Sequence, residues 1–299
     1  NVMYKPGEES EDAACLKLYD GHDWKWFRAG LLHTDMEYLR RHWSGKKSSA
    51  PVLEKRHQKY FLRFSYTEEV TLSKTPVKDQ LICSVDLGIN TDAVCSIMRS
   101  DGTVLDRKFI NFPSEKDRLS HVLGRIRRFQ KEHGSKQIGS RWAYAKRLNT
   151  ELARKTARSI TEYAHENHAD VIVFEYLEMK GKISGKKRQK LHLWKKREIQ
   201  AMCEHKAHRY GIRVSRVCAW NTSRLAYDGS GPVSRDPKNH SLCVFQSGKQ
   251  YNCDLSASYN IGARYWIREI IKTLPETERS SLEAKVPAVK RRTSCVYAD

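Results

Sequence analysis

Two short and almost wholly apolar runs, LICSV at residues 81–85 and VIVF at residues 171–174, each end in a carboxylate, Asp86 and Glu175. Runs of four or five apolar residues with β-branched members suit strands buried on both faces, in sheets that helices cover on either side. An ionised carboxylate ending such a strand costs several kcal/mol unless a cation or hydrogen-bond donors meet it. The pattern points to a layered α/β fold in which two acids need a partner.

The segments around these runs extend the pattern. LICSVDLG (81–88), DAVCSIMRS (92–100) and TVLDRKFINF (103–112) read as three strands, the last two joined by the hairpin turn Asp101-Gly102. Pro113-Ser114 opens a helix with Ser114 as N-cap and Asp117 in the first turn; Leu119, Val122, Leu123, Ile126 and Phe129 form its apolar face, and Arg118, Arg125, Arg127, Arg128 and Lys131 its polar one. A second helix over about residues 140–168 turns Trp142, Ala145, Leu148, Leu152 and Ile160 inward. After the Glu175 strand come a Gly-broken basic loop (179–197), a third helix to Tyr210, a strand over 212–220, a loop to Asp254 and a final helix. Hairpin strands first, then parallel strands with helical crossovers, is the order of an RNase H-like domain, although other mixed α/β folds share it.

Upstream, residues 14–72 alternate short strands and turns, and YFLRFSYTEEV has the period-two pattern of an antiparallel strand with one exposed face. This part reads as a piece of a small β-barrel or sheet, with a boundary in LSKTPVKDQ (72–80). The expected divisions are a partial β domain (1–78), the α/β core with its basic helical insert (79–220), a loop (221–253), the last core helix (254–275) and a polar, mobile tail (276–299). The opening NVMYKPGEESEDAAC lacks an initiator Met and any signal-peptide pattern, so further residues upstream are expected.

The chain carries 55 Lys+Arg against 35 Asp+Glu, a formal charge of +20. Such an excess suits a polyanionic partner, most often nucleic acid, and equally a merely basic surface. No apolar run approaches the roughly 18–20 residues that span a bilayer, which argues against a membrane protein. The eight cysteines are scattered and several lie in apolar runs, as in a reduced, cytoplasmic protein.

Asp254, ahead of the helix LSASYNIG, adds a third acid to Asp86 and Glu175. Singly, Asp86 also suits a turn, Glu175 a half-exposed strand end and Asp254 a helix cap. Together, they lie where an α/β topology can bring them to one site. Carboxylate oxygens are what Mg²⁺ prefers, and a few can hold two ions about 4 Å apart for phosphodiester hydrolysis.

Three segments carry a resemblance: VDLGINTDAVCSI, VIVFEYLEMKGK, and NTSR followed by YNCDLSASYNIG. They resemble the three RuvC motifs of the transposon-encoded TnpB nucleases and the related type V CRISPR effectors, and KYFLRFSYTEEV resembles the closing strands of that family's wedge barrel. The resemblance implies an α/β, RNase H-like (RuvC) mixed sheet with flanking helices, preceded by part of a wedge domain. It implies an RNA-guided DNA endonuclease with Asp86, Glu175 and Asp254 as catalytic and metal-binding residues, two Mg²⁺ ions for which Mn²⁺ can substitute, and a bacterial or archaeal cytoplasm. The implied partners are a guide RNA and target DNA, with a homodimer or a longer chain as the assembly. Two other readings stay open: a guide-directed DNA-binding protein with little or no cleavage, and an RNase H-like transposase or resolvase acting without a guide.

Further residues follow as expectations. Arg224, just past Thr222-Ser223, is a candidate for phosphate stabilisation, or else a solvated loop arginine. Arg125, Arg128, Lys186, Lys187, Arg188, Lys195, Lys196 and Arg197 suit nucleic-acid phosphates, and Trp142, Tyr144 and Trp194 either stack on bases or pack in the core. Asp92, Glu178 and Asp228 are candidates for supporting roles. Relatives commonly carry two Cys-x-x-Cys pairs before the third motif, whereas the spacing of Cys218, His240, Cys243 and Cys253 matches no such ribbon. Zinc is not expected, and residues 221–253 read as a metal-free remnant that contacts the substrate strand.

Overall fold

A computed structural model describes residues 3–7, 12–56, 58–134, 138–176, 193–236, 239 and 241–285. It divides into two units, residues 1–70 and residues 71–299.

In the first unit, strands β1 (Tyr4–Pro6), β2 (Ala13–Tyr19) and β3 (Trp24–Gly30) form an antiparallel sheet in that order. The β2–β3 turn is set by Asp20, whose Oδ1 accepts the amides of His22 and Asp23 at 2.9 and 2.8 Å. Helix α1 (His33–Trp43) follows. Sequence patterning misses it because it buries no residue and so has no apolar stripe, while Asp35 and Arg40, Arg41 and His42 complement the helix dipole at its two ends. Strands β4 (Lys47–Ser48), β5 (Val52–Arg56), β6 (Lys59–Arg63) and β7 (Tyr66–Thr67) pair as β4 with β7 and β5 with β6. The single strand expected across YFLRFSYTEEV is therefore broken after Arg63 into parts of two ladders.

The second unit is a mixed α/β layer structure. Its five-stranded sheet has the order β10-β9-β8-β11-β12, built from β8 (Ile82–Asp86), β9 (Ala93–Met98), β10 (Val104–Ile110), β11 (Val171–Tyr176) and β12 (Arg213–Cys218). β8, β9 and β10 are antiparallel neighbours, and β8, β11 and β12 run parallel. Helices α2 (Pro113–His133), α3 (Gly139–Glu166) and α4 (Lys196–Arg209) lie between the strands in sequence, with α3 leading into β11 and α4 into β12.

Helix α2 begins two residues earlier than an N-cap at Ser114 implies. Pro113 takes the first helical position, where its missing N–H costs nothing, and Phe112 rather than Ser114 is the cap. The Phe112 amide is met by Asp92 Oδ2 at 2.9 Å.

Side-chain alternation divides the sheet's residues between two cores. Cys83, Val85, Cys95, Ile97, Ile172 and Phe174 pack on α3 and α4 residues such as Ala157, Ile160 and Cys203. Ile82, Val94, Val171, Val173 and Val217 pack on α5 (Cys253–Thr273) through Leu255, Tyr259, Ile261, Tyr265 and Trp266. Phe174 is fully buried, and truncation to Ala would cost about 3–5 kcal/mol. Helix α5 sits close on the sheet at Gly262, where a Cβ would come within 2.5 Å of Met98 Sδ. The buried hydroxyls of Ser96 and Ser258, 2.6 Å apart, join the same two elements.

Between β12 and α5 the structure has more order than a loop. Strands β13 (Ser234–Arg235), β14 (Leu242–Val244) and β15 (Gln250–Asn252) form a small antiparallel sheet over a core of Ala226, Cys243, Phe245 and Cys253. Strands of two or three residues are too short to leave a periodic pattern in the sequence. Part of the expected tail is helix α6 (Glu276–Lys285), while the KRRTSCVYAD end lies outside the described residues. No helix among the described residues is long and apolar enough to cross a membrane.

Candidate functional site

The parallel register pairs Phe174 with Val85, so the next residues, Asp86 at the end of β8 and Glu175 one residue before the end of β11, stand at one level on adjacent central strands. Asp86 shares the alternation of Ile82, and Glu175 that of Val171 and Val173, so both acids face the side that α5 covers. Asp254 stands in the first turn of α5. Three residues separated by up to 168 positions are thus brought to one end of one face.

The reading of Asp254 as a helix cap is corrected. Asn252 caps α5, its Oδ1 accepting the amides of Asp254 and Leu255, each at 3.0 Å. The Asp254 carboxylate is free for another task and takes a hydrogen bond from the Thr91 hydroxyl.

The three carboxylates resist ionisation. Burial pushes the Asp86 pKa well above the usual carboxylate range, repulsion from Glu175 and Asp254 pushes it further, and Arg235 opposes the shift. Burial also raises Glu175, against the Thr222 hydroxyl, Arg264 and Lys196. Asp254 is raised by burial, against Arg235 and Thr91. Charge repulsion at Asp86 from both other acids marks the three as one electrostatic cluster.

Each acid is held by its surroundings. The Thr222 hydroxyl donates to Glu175 Oε1, and Gln200 Nε2 on α4 donates to the Glu175 carbonyl oxygen at 2.8 Å. Arg264 on α5 donates to the carbonyl oxygens of Cys218 and Trp220 at 2.5 and 2.6 Å, fixing the end of β12 beside Glu175. The Asp86 strand turns through Gly88, where a Cβ would meet the Thr91 carbonyl oxygen at 2.5 Å. That contact needs glycine, and it keeps Thr91 where its hydroxyl reaches Asp254.

Asp92 closes the same loop. It is buried, pairs with Lys116 Nζ at 3.0 Å and accepts the Phe112 amide, so it holds backbone. Asp228 accepts the Ser230 amide at 3.0 Å in a surface turn, and Glu178 lies outside the described residues.

Of the cations that act on the acids, the sequence singled out Lys196 alone, and for another role. Arg235, on β13, acts on Asp86 and Asp254, while Arg224 is exposed on the turn after Thr222. Lys196 is 7% exposed and its charge acts on Glu175, so burial removes it from the set of surface phosphate contacts. Lys195 is tied to Thr150 at 2.8 Å and to Glu198, and Arg197 is exposed. Arg125 and Arg128 are exposed on α2, whereas Lys186, Lys187 and Arg188 lie outside the described residues. Arg235 escaped sequence analysis because its neighbourhood arises from the small sheet, whose strands leave no pattern.

Cys243 and Cys253 are buried in that sheet's core with their thiols in hydrogen-bond contact, and burial pushes the Cys243 thiol up to about 12. Cys218 ends β12, and His240 lies outside the described residues.

Hard, anionic oxygen donors at one point fit a divalent cation such as Mg²⁺ by chemistry. As they stand, no three His, Cys, Asp or Glu side chains among the described residues are grouped tightly enough to hold one ion.

Residues 197–261, which run from α4 through the small sheet into α5, match the family model described as Cas12f1-like, TNB domain. The TnpB-like protein aq_aa05 of Aquifex aeolicus (strain VF5) is 26% identical over 247 residues, covering 75% of this chain and 79% of the relative. The chain is thus similar to TnpB-like proteins and carries, over residues 197–261, the domain of the Cas12f1-like model. A second TnpB-like protein, ORF457 of Acidianus two-tailed virus, is 28% identical over 204 residues, which is 62% of this chain and 42% of that one. Among solved structures, that of the mini-RNA-guided endonuclease CRISPR-Cas_phi3 aligns with a TM-score of 0.55 at 14% identity, covering 84% of this chain and 57% of its own. This second likeness is one of fold. The chain spans about half the length of the solved structures it matches. The match to residues 197–261 contains Thr222, Arg235 and Asp254, so the support for two of the acids falls within a segment that family members share.

Proposed function

We propose that this chain is an RNA-guided DNA endonuclease, or the nuclease part of one, whose second unit is an RNase H-like (RuvC) domain and whose first unit is part of a wedge domain. The observation that carries the reading is the electrostatic coupling of Asp86 to both Glu175 and Asp254 at the sheet end that α5 covers. The likeness to TnpB-like proteins and the Cas12f1-like match over residues 197–261 support the reaction class.

Asp86, Glu175 and Asp254 would hold two Mg²⁺ ions, each through one or two carboxylates, with water and substrate phosphate completing the shell. That is how Mg²⁺ is commonly bound, and it needs no three-ligand protein cage. When bound, the ions supply a water of lowered pKa and charge neutralisation at the leaving 3′ oxygen. The protein's own part is positional. Thr222 orients Glu175, Thr91 orients Asp254, and Arg235 offsets the charge of Asp86 and Asp254 until cations arrive. Guide pairing would read the sequence, while the protein holds the backbone of the paired strands.

The reading predicts that the full-length protein co-purifies with a defined RNA and cuts DNA matched to it in Mg²⁺, not in EDTA. Cleavage that survives Asp254→Ala would overturn the carboxylate mechanism. Cutting with no bound RNA would favour a transposase- or resolvase-like activity, and guided binding without cutting would leave a DNA-binding protein.

A further inference from the structure

A cavity of about 400 Å³ lies between α2, α3 and the start of α4, bordered by the loop that follows Asp86. Its walls are apolar: Leu119 and Leu123 of α2, Leu152 and Ala153 of α3, and Ile199 of α4. Trp194 stands in the wall as well, packed against the main core, with Lys196 Nζ 5.3 Å from its ring centre. A space of this size is in the range of small-molecule sites, and apolar walls that face a void forgo the contacts a guest would give them.

One polar group in the lining sets what a guest must carry. Asn149 on α3 is 8% exposed, and its Nδ2 donates to the Leu193 carbonyl oxygen at 2.8 Å, which fixes the orientation of the amide. Its Oδ1 has no partner among the described residues, so a ligand that reaches it must bring an N–H or O–H. The hydroxyl of Thr156, also in the lining, already donates to the Leu152 carbonyl oxygen at 2.9 Å.

The charges around the cavity cancel. Lys116 pairs with Asp92 at 3.0 Å and Lys195 with Glu198, and the remaining two, Asp117 and Arg127, are of opposite sign. An ion of either sign would leave water for apolar walls and meet no net countercharge, so the lining favours a neutral guest. The loop links the cavity to the acids. Lys116 Nζ holds the Asn90 carbonyl oxygen at 2.5 Å, whereas Gly88 and Ile89, just past Asp86, border the cavity and would gain packing partners from a guest.

We infer that this cavity binds a neutral, largely apolar small molecule with one hydrogen-bond donor, and that its occupancy stiffens the segment of residues 87–92. The inference rests on the reading above only in the role given to that segment, which runs from Asp86 past the Thr91 hydroxyl that meets Asp254.

The test titrates the full chain, in EDTA and without nucleic acid, with 2-naphthol, with 2-methoxynaphthalene, which keeps the rings and lacks the donor, and with the charged 2-naphthoate. Wild type should bind 2-naphthol about 3–10-fold more tightly than the methoxy compound, the effect of one neutral hydrogen bond, and should bind 2-naphthoate more weakly than 2-naphthol. Asn149→Leu should remove the preference for the donor. Because Asn149 also holds Leu193, Ser120→Trp serves as a second variant: Ser120 is exposed in the lining, and the larger ring, by filling the space, should weaken both neutral compounds by about 10-fold or more. Hydrogen exchange of the 87–92 amides should slow about 3–10-fold when 2-naphthol saturates the wild type, and stay unchanged in Ser120→Trp. Equal affinity for the two neutral compounds, tighter binding of 2-naphthoate, unchanged binding in both variants, or exchange at 87–92 unmoved by 2-naphthol overturns the inference. A chain that cuts matched DNA and binds neither neutral compound refutes this site alone; donor-dependent binding in a chain that never cuts refutes the nuclease reading alone.

Discussion

Asn260 reaches across from α5 to the loop that carries Thr222: its Nδ2 donates to the Thr222 carbonyl oxygen at 2.9 Å and to that of Leu225 at 2.7 Å. Thr222 in turn donates its hydroxyl to Glu175. The helix that bears Asp254 thereby also sets the position of Glu175, and two of the three acids share one rigid support. Thr222→Val should lower cleavage about 10–100-fold, in the range found for groups that orient metal ligands, and Thr222→Ser should restore most of it. Asn260→Ala leaves two carbonyl oxygens without their donor and should cost about 1–3 kcal/mol, measurable by urea unfolding. Equal activity of the Val and Ser variants would remove Thr222 from the site.

Burial of the acid cluster, with added repulsion at Asp86, has a consequence for stability. Asp86, Glu175 and Asp254 all have folded pKa values raised above their unfolded ones, so between the two values the native state holds more protons than the unfolded chain. Stability then falls as pH rises through that window, and the penalty is complete above the folded values. Asp86→Asn should therefore raise the Tm of the metal-free protein at pH 8 and leave it nearly unchanged near pH 4, while abolishing cleavage. A lowered Tm at pH 8 would show that Asp86 does not carry this penalty.

The same penalty makes the folded protein a sink for cations. Mg²⁺ that binds the native cluster and not the unfolded chain stabilises by mass action, so Tm at pH 8 should climb with Mg²⁺ concentration. Protons compete for the same oxygens, so the climb should shrink as pH is lowered. The double variant Asp86→Asn/Asp254→Asn should show no climb at either pH, which separates site binding from general screening of a +20 chain.

The parts legible in the sequence are those governed by local periodicity. LICSV and VIVF declared buried strands, and the apolar face of α2 follows the spacing of Leu119, Val122, Leu123 and Ile126, all of which are buried. The three acids were legible because each interrupts or follows such a pattern. What stayed hidden depends on contacts between distant residues or on elements too small to repeat. Arg235 reaches the acids from a two-residue strand, Asn260 acts through carbonyl oxygens 38 and 35 positions away, and α1 buries nothing that would mark it. Lys196 reads as one more basic residue in KKR, and only the packing of α4 reveals that it is buried and acts on Glu175.

Gly88 tests the loop that links the first and third acids. An added Cβ would stand 2.5 Å from the Thr91 carbonyl oxygen, which is backbone and cannot swing aside as a side chain can. Gly88→Ala should shift the 87–92 segment, cost about 1–3 kcal/mol and draw Thr91 away from Asp254. Cleavage should fall further than Thr91→Val alone makes it fall, because the same shift moves Asp86. Wild-type activity in Gly88→Ala would mean that the loop does not set the acids' positions.

The two arginines near the site make opposite predictions. Arg235 lowers the pKa values of Asp86 and Asp254, so its removal lets both rise further and fewer carboxylates are ionised at a given pH. For Arg235→Gln the acidic limb of the cleavage profile should move to higher pH, with the loss of activity largest below neutrality and partly recovered by raising either pH or Mg²⁺. Arg224 is exposed and exerts no such pull on either acid, so Arg224→Gln should leave the position of that limb unchanged, whatever it does to the plateau. If the limb moves with Arg224 and not with Arg235, the cation that tunes the cluster was assigned to the wrong side of the small sheet.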